Sequence, residues 1–94
     1  MKKHTAFEDY LKKANLSANT ITSYLWTVQD YHARYDSVTH EDLLGYKGYL
    51  VEHFKPKTVN LRIQGMNKYL AFLGKTQMQL KAVKVQQKNF LENV

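Results

Sequence analysis

An all-α bundle of four helices is the fold this chain predicts, and three observations predict it. Apolar residues recur at helical spacing in four successive stretches, and helix-start residues stand ahead of them. The loops between them are short, about two to five residues, a length that favours antiparallel or steeply crossed neighbours. With 94 residues, 44% of them hydrophobic and 23% charged, the chain suits one globular domain with a single core.

The first helix is expected over residues 6–14. Thr5-Ala6-Phe7-Glu8 has the form of a capping box, and Phe7, Tyr10, Leu11 and Ala14 fall at i, i+3, i+4 and i+7. Asn15-Leu16-Ser17 ends it. The second helix, capped by Ser17 or Asn19, carries Ile21, Tyr24, Leu25, Val28, Tyr31 and Tyr35 as one stripe to about residue 35. Asp36-Ser37 is turn material, and Thr39-His40-Glu41-Asp42 opens a third helix bearing Leu43, Tyr46, Leu50 and Phe54. Gly45 and Gly48 each cost that helix about 1 kcal/mol relative to alanine, so a close neighbour is expected against both.

Pro56, the single proline, is read as the break before a fourth helix that starts at Lys57 or Thr58. Its seam is Val59, Ile63, Met66, Leu70 and Leu73, and Gly74 is a suitable left-handed cap. At about 100° per residue, Lys57, Gln64 and Lys68 lie opposite the seam, with Asn60 and Arg62 on the flanks. Leu61 and Phe72 also lie off the seam, so cover on two sides is expected. Beyond Gly74, Leu80 to Gln86 alternates apolar with basic or polar residues, as an extended strand does, yet no partner strand is visible. Residues 1–75 therefore read as the helical domain, and residues 76–94 as an extended tail or linker toward a further domain.

Several function classes are disfavoured. The absence of cysteine removes disulfide scaffolds, thiolate metal sites and cysteine nucleophiles, and His4, His32, His40 and His53 have no metal-ligand spacing. No metal or other cofactor is expected, and no acid, base and nucleophile converge as an independent enzyme requires. No apolar run approaches the roughly 18 residues of a membrane span, and Met1-Lys2-Lys3 is not followed by the apolar stretch of a signal peptide. A soluble, cytoplasmic protein with no membrane partner is the expectation.

Charge is unevenly placed. Residues 1–54 carry six bases against seven acids, whereas residues 55–94 carry eight bases against Glu92 alone. From Lys55 to Leu91 there is no carboxylate. A long acid-free, basic segment suits a polyanion, because each phosphate neutralised by Lys or Arg releases a condensed counterion. Solubility is the plainer reading of the same charge.

Leu16-Ser17-Ala18-Asn19-Thr20-Ile21-Thr22-Ser23-Tyr24, then Val38-Thr39-His40-Glu41-Asp42-Leu43, Lys57-Thr58-Val59-Asn60-Leu61-Arg62-Ile63 and Tyr69-Leu70-Ala71-Phe72-Leu73-Gly74, resemble in order and spacing the core-binding domain of tyrosine recombinases, the phage integrase family. The resemblance covers roughly residues 5–74. It implies a SAM-like helical domain forming half of a clamp on double-stranded DNA, for DNA integration or recombination by a phage or mobile element. Gln87-Lys88-Asn89-Phe90-Leu91-Glu92-Asn93-Val94 looks like the junction into the catalytic domain of the same parent chain. Catalysis is not implied for this segment. The family uses a tyrosine nucleophile with arginines and histidines around the phosphate, and here only Arg34 and Arg62 exist, with no His-x-x-Arg. The family's tetramer forms on DNA through the absent half, so a monomer is expected in solution, in a bacterial cytoplasm and on the nucleoid during recombination.

In the family, the starts of the second and fourth helices approach the major groove. Carried over, these positions are Asn19, Thr20 and Ser23, and Lys57, Thr58, Asn60, Arg62 and Gln64, with Lys55 just before and Lys68 as a further phosphate contact. Helix starts suit phosphate because their free amides and dipole favour an anion. Asn19, Thr20 and Thr58 equally suit plain helix caps. Asn60 and Gln64 have amides that fit base edges, adenine above all, or a polar surface. Leu61 and Asn67 depart from the family, which often has basic residues there. Trp26, about 140° from Ile21, is off the core stripe; in a basic setting it suits stacking on a base, and packing on the first helix is the favoured expectation. The rival reading is a helical protein-interaction module docking a partner through Leu61, Phe72 and Trp26.

Overall fold

The computed structural model describes residues 2–84 and contains four helices, α1 (Lys2–Lys13), α2 (Ala18–Arg34), α3 (His40–His53) and α4 (Pro56–Phe72), followed by a 3₁₀ turn (Thr76–Met78). No strand occurs among the described residues, and the all-α bundle is as expected. None of these helices is long and apolar enough to cross a membrane. The junction-like segment Gln87 to Val94 lies outside the described residues.

Local chemistry sets most boundaries. At the start of α2, Ser17 Oγ accepts the Thr20 amide at 3.2 Å, so Ser17 rather than Asn19 is the cap. At α3, Thr39 Oγ1 accepts the Asp42 amide at 3.1 Å, and Glu41 and Asp42 place negative charge in the first turn, where the helix dipole favours it. Two starts differ from expectation. α1 begins at Lys2, so Thr5 lies inside the helix instead of capping it; nothing in Lys2 to His4 breaks a helix. α4 begins at Pro56 itself, with Lys55 as its cap residue and no side-chain cap bond, which leaves Thr58 in the first turn and not at the cap. Proline fits there because the amide it lacks would have had no intrahelical acceptor. At the other end Gly74 adopts φ 76°, and the Lys75 and Gly74 amides return to the Leu70 and Ala71 carbonyls at 2.8 and 3.1 Å, closing α4 in a Schellman turn.

The core follows the apolar seams. Phe7 and Leu11 of α1, Ile21, Val28 and Tyr31 of α2, Leu43, Tyr46 and Leu50 of α3, and Val59, Ile63, Met66 and Leu70 of α4 are buried together. α4 is the centre, packing against all three other helices and the 3₁₀ turn, which accounts for apolar residues beyond its seam. Phe72 is one of these. It lies 5.5 Å from Phe7 and 5.2 Å from Tyr10, ring to ring, and joins α4 to α1. Leu73, at the helix end, is instead exposed.

Glycines fall into three situations. A Cβ on Gly45 would meet the Tyr35 hydroxyl at 2.9 Å, the close neighbour anticipated. Gly48 has nothing within 4 Å, contrary to expectation, because it faces outward between the exposed Leu44 and Val51. Gly65, which periodicity does not single out, marks the α2–α4 crossing: a Cβ there would lie 3.1 Å from Tyr24 Cδ1 and 3.4 Å from Thr27 Cβ. Gly48→Ala is accordingly expected to stabilise the domain by about 0.5–1 kcal/mol, since it raises helix propensity with no clash. A urea midpoint unchanged or lowered by this substitution would contradict the open surroundings of Gly48.

The tail departs most from expectation. Leu80 is buried in the core cluster, and the extended chain around it pairs with side chains in place of a strand. Asn67 accepts the Leu80 amide through Oδ1 at 2.7 Å and donates Nδ2 to the Leu80 carbonyl at 2.9 Å. Asn60 does the same for Val83, at 2.7 and 2.9 Å. Each carboxamide thus satisfies both backbone groups of one residue, as a neighbouring strand would. Asn60 and Asn67 stand seven residues apart, two helical turns, so both project from one side of α4. The chain from Gln79 to Val83 is strapped along the helix, and is no free linker over that stretch.

Candidate nucleic-acid interface

A shallow recess lies between α2 and α4, lined by Asn19, Thr22, Ser23 and Trp26 from one face of α2 and by Arg62 from α4. Asn19, Thr22, Ser23 and Trp26 occur at helical spacing, so α2 offers them as a row. Gly65 allows α2 to approach α4 closely and brings Arg62 under that row. The Arg62 guanidinium stacks on Trp26, 4.2 Å from the ring centroid. Nη1 reaches Ser23 Oγ and Thr27 Oγ1 only at 3.5 Å, the outer limit of a hydrogen bond, and Nε is buried with no partner. Trp26 is 45% exposed, and its ring carries the Arg62 guanidinium.

Arg34 provides the contrast. It pairs with Asp30 at 3.3 Å, donates to the Tyr49 hydroxyl at 2.6 Å and covers the Tyr49 ring at 3.9 Å. Both ion pairs among the described residues, Glu8–Lys12 and Asp30–Arg34, lie in α1 and α2. Arg62 is thus a half-buried cation with donors to spare, in the carboxylate-free part of the chain. An anion entering the recess would find the guanidinium charge with the Ser23 and Asn19 side chains beside it; guanidinium geometry suits phosphate in particular.

The remaining candidate positions divide. Asn19 is exposed and Ser23 half-buried in this recess. Thr20 belongs to the α2 cap, its amide and Oγ1 both bonded to Ser17. Lys55 and Lys57 are exposed at the start of α4, where no side-chain cap occupies the first-turn amides, and Thr58 is half-buried beside them. Gln64 is exposed, with Tyr24 Oη 3.5 Å from its Oε1, and Lys68 lines a second groove with it. Asn60 is withdrawn from the set. Its amide is committed at both ends to Val83 and has nothing left for a base edge. Sequence reasoning missed Thr22, which lines the recess, and Thr27, whose Oγ1 lies 3.5 Å from Arg62 Nη1. It also missed Asn67 as a tail clip; the spacing of seven to Asn60 was the available signal.

Three tyrosines have phenols pushed away from ionisation. Burial is the leading cause for each: Tyr31 rises to about 12, aided by Asp42, while Tyr46, which also donates to Asp30 at 2.9 Å, and Tyr69 rise as well. This is opposite to the shift that would activate a phenol as nucleophile. Among the described residues no group of three metal-binding side chains comes together. The rival docking surface is also reduced, since Phe72 is packed against α1 while Trp26 and Leu61 stay exposed.

No family model matches the chain, and no curated protein or solved structure matches it.

Proposed function

We propose that this domain binds duplex DNA, mainly through phosphates, as the core-binding half of a tyrosine-recombinase clamp whose catalytic half belongs to the same parent chain. The observation that carries the reading is Arg62: half-buried, stacked on Trp26, with an unpartnered Nε and a row of α2 hydroxyl and amide side chains around it. A cation held in this way is incomplete without an anion. The carboxylate-free segment in which it lies, the exposed Lys55 and Lys57, and the uncapped start of α4 extend the positive surface. The resemblance of four ordered motifs to integrase core-binding domains names the duplex as the polyanion. Asn19, Ser23, Lys55, Lys57, Arg62, Gln64 and Lys68 are the proposed contacts, with Thr20 and Thr58 supporting the helix starts.

Titration of a labelled duplex at about 50 and about 200 mM salt tests this. Log affinity is expected to fall with log salt by about 0.9 per phosphate neutralised, and Lys57→Glu to weaken binding roughly tenfold. Docking of a protein partner through Trp26 and Leu61 would show little salt dependence. Absence of binding at the lower salt overturns the DNA reading.

A further inference from the structure

We propose that the strapped tail is part of the interface: Asn60 and Asn67 act as positioning residues that hold Lys81 and Lys84 along the basic face of α4. The inference rests on the DNA reading above and adds residues and a mechanism that the helix starts alone do not supply.

The placement follows from the strap. Leu80 is tied at Asn67 and Val83 at Asn60, so the tail runs back along α4 from its C-terminal end toward its start. Val83 and Lys84 line one groove with Pro56 and Val59, in the first turn of α4 that Lys55 and Lys57 also flank. Leu80 and Val83 turn inward, buried and half-buried, whereas Lys81 and Lys84 are exposed. At about 100° per residue, Lys57, Gln64 and Lys68 fall in the arc between the asparagine side of α4 and the Gly65 side that meets α2. The tail lysines therefore border this face on the asparagine side, whereas Arg62, about 120–160° round the helix from these three residues, lies beyond the Gly65 contact with α2. An unstrapped tail would pay the entropy of ordering on binding DNA; a strapped one presents its lysines already placed.

The test is a coupling measurement on the full chain with a labelled duplex over a salt series. Lys84→Ala is expected to lower the salt slope by about 0.9, the value of one phosphate contact. Asn60→Ala removes no charge, yet is expected to make trypsin cleave faster after Lys81 and Lys84 and to shrink the slope change caused by Lys84→Ala. Val83→Pro, which deletes the tail amide and leaves α4 untouched, should act like Asn60→Ala and serves in its place if the latter lowers the helical circular dichroism. A slope unmoved by Lys84→Ala, or moved equally with and without the strap, overturns this inference while the DNA reading stands. No duplex binding by the unmodified chain overturns both.

Discussion

Arg62→Ala is expected to weaken duplex binding roughly ten- to 100-fold while leaving the stability of the domain almost unchanged. The loss follows from the charged hydrogen bonds that Arg62 can make to a phosphate, worth about 1.5–3 kcal/mol. The stability effect is small because two terms oppose each other. Removing the side chain forfeits the stacking on Trp26, about 0.5–2 kcal/mol, but also removes a buried Nε with no partner, which costs the native state about 1–3 kcal/mol. Fluorescence anisotropy with a labelled duplex and a urea melt read the two effects separately, and Trp26 emission reports directly on the stack. Equal losses of stability and affinity would make Arg62 a structural residue; affinity left intact would remove the recess from the interface.

Leu70→Ala is expected to cost about 2–5 kcal/mol, a large part of the roughly 5–14 kcal/mol available to a domain of this length. Leu70 is fully buried on α4, the helix that every other described element packs against, and its carbonyl also receives the Lys75 amide that closes the Schellman turn. Truncation leaves a cavity at a place where several elements meet, so collapse of one element cannot fill it. Chemical denaturation followed by circular dichroism measures the loss. A change below about 1 kcal/mol would show that α4 is peripheral and that the bundle is held together elsewhere.

Helix number, most of the core and the uneven charge were legible because each is a property of residues near one another in the chain. Val59, Ile63, Met66 and Leu70 repeat at helical spacing and are all buried, and Ser17, Thr39 and Gly74 have the chemistry of the helix ends they occupy. The errors were local competitions. Pro56 can break a helix or open one, and Thr5 can cap a helix or sit within it; what extends upstream decides between them.

The candidate site was legible only as a list of residues. Asn60 and Gln64 have the same chemistry and both lie off the apolar seam, yet one is consumed by a tail carbonyl and amide 23 residues away while the other stays exposed. Arg34 and Arg62 are equally basic in sequence, but Asp30 neutralises the first and nothing among the described residues neutralises the second. The sequence by itself determined four helices, one core and a basic half free of carboxylates, since periodicity, capping and charge act over a few residues. Tertiary structure alone decided which polar groups remain unspent, because hydrogen-bond partners and desolvation come from segments that the fold brings together and chain order keeps apart.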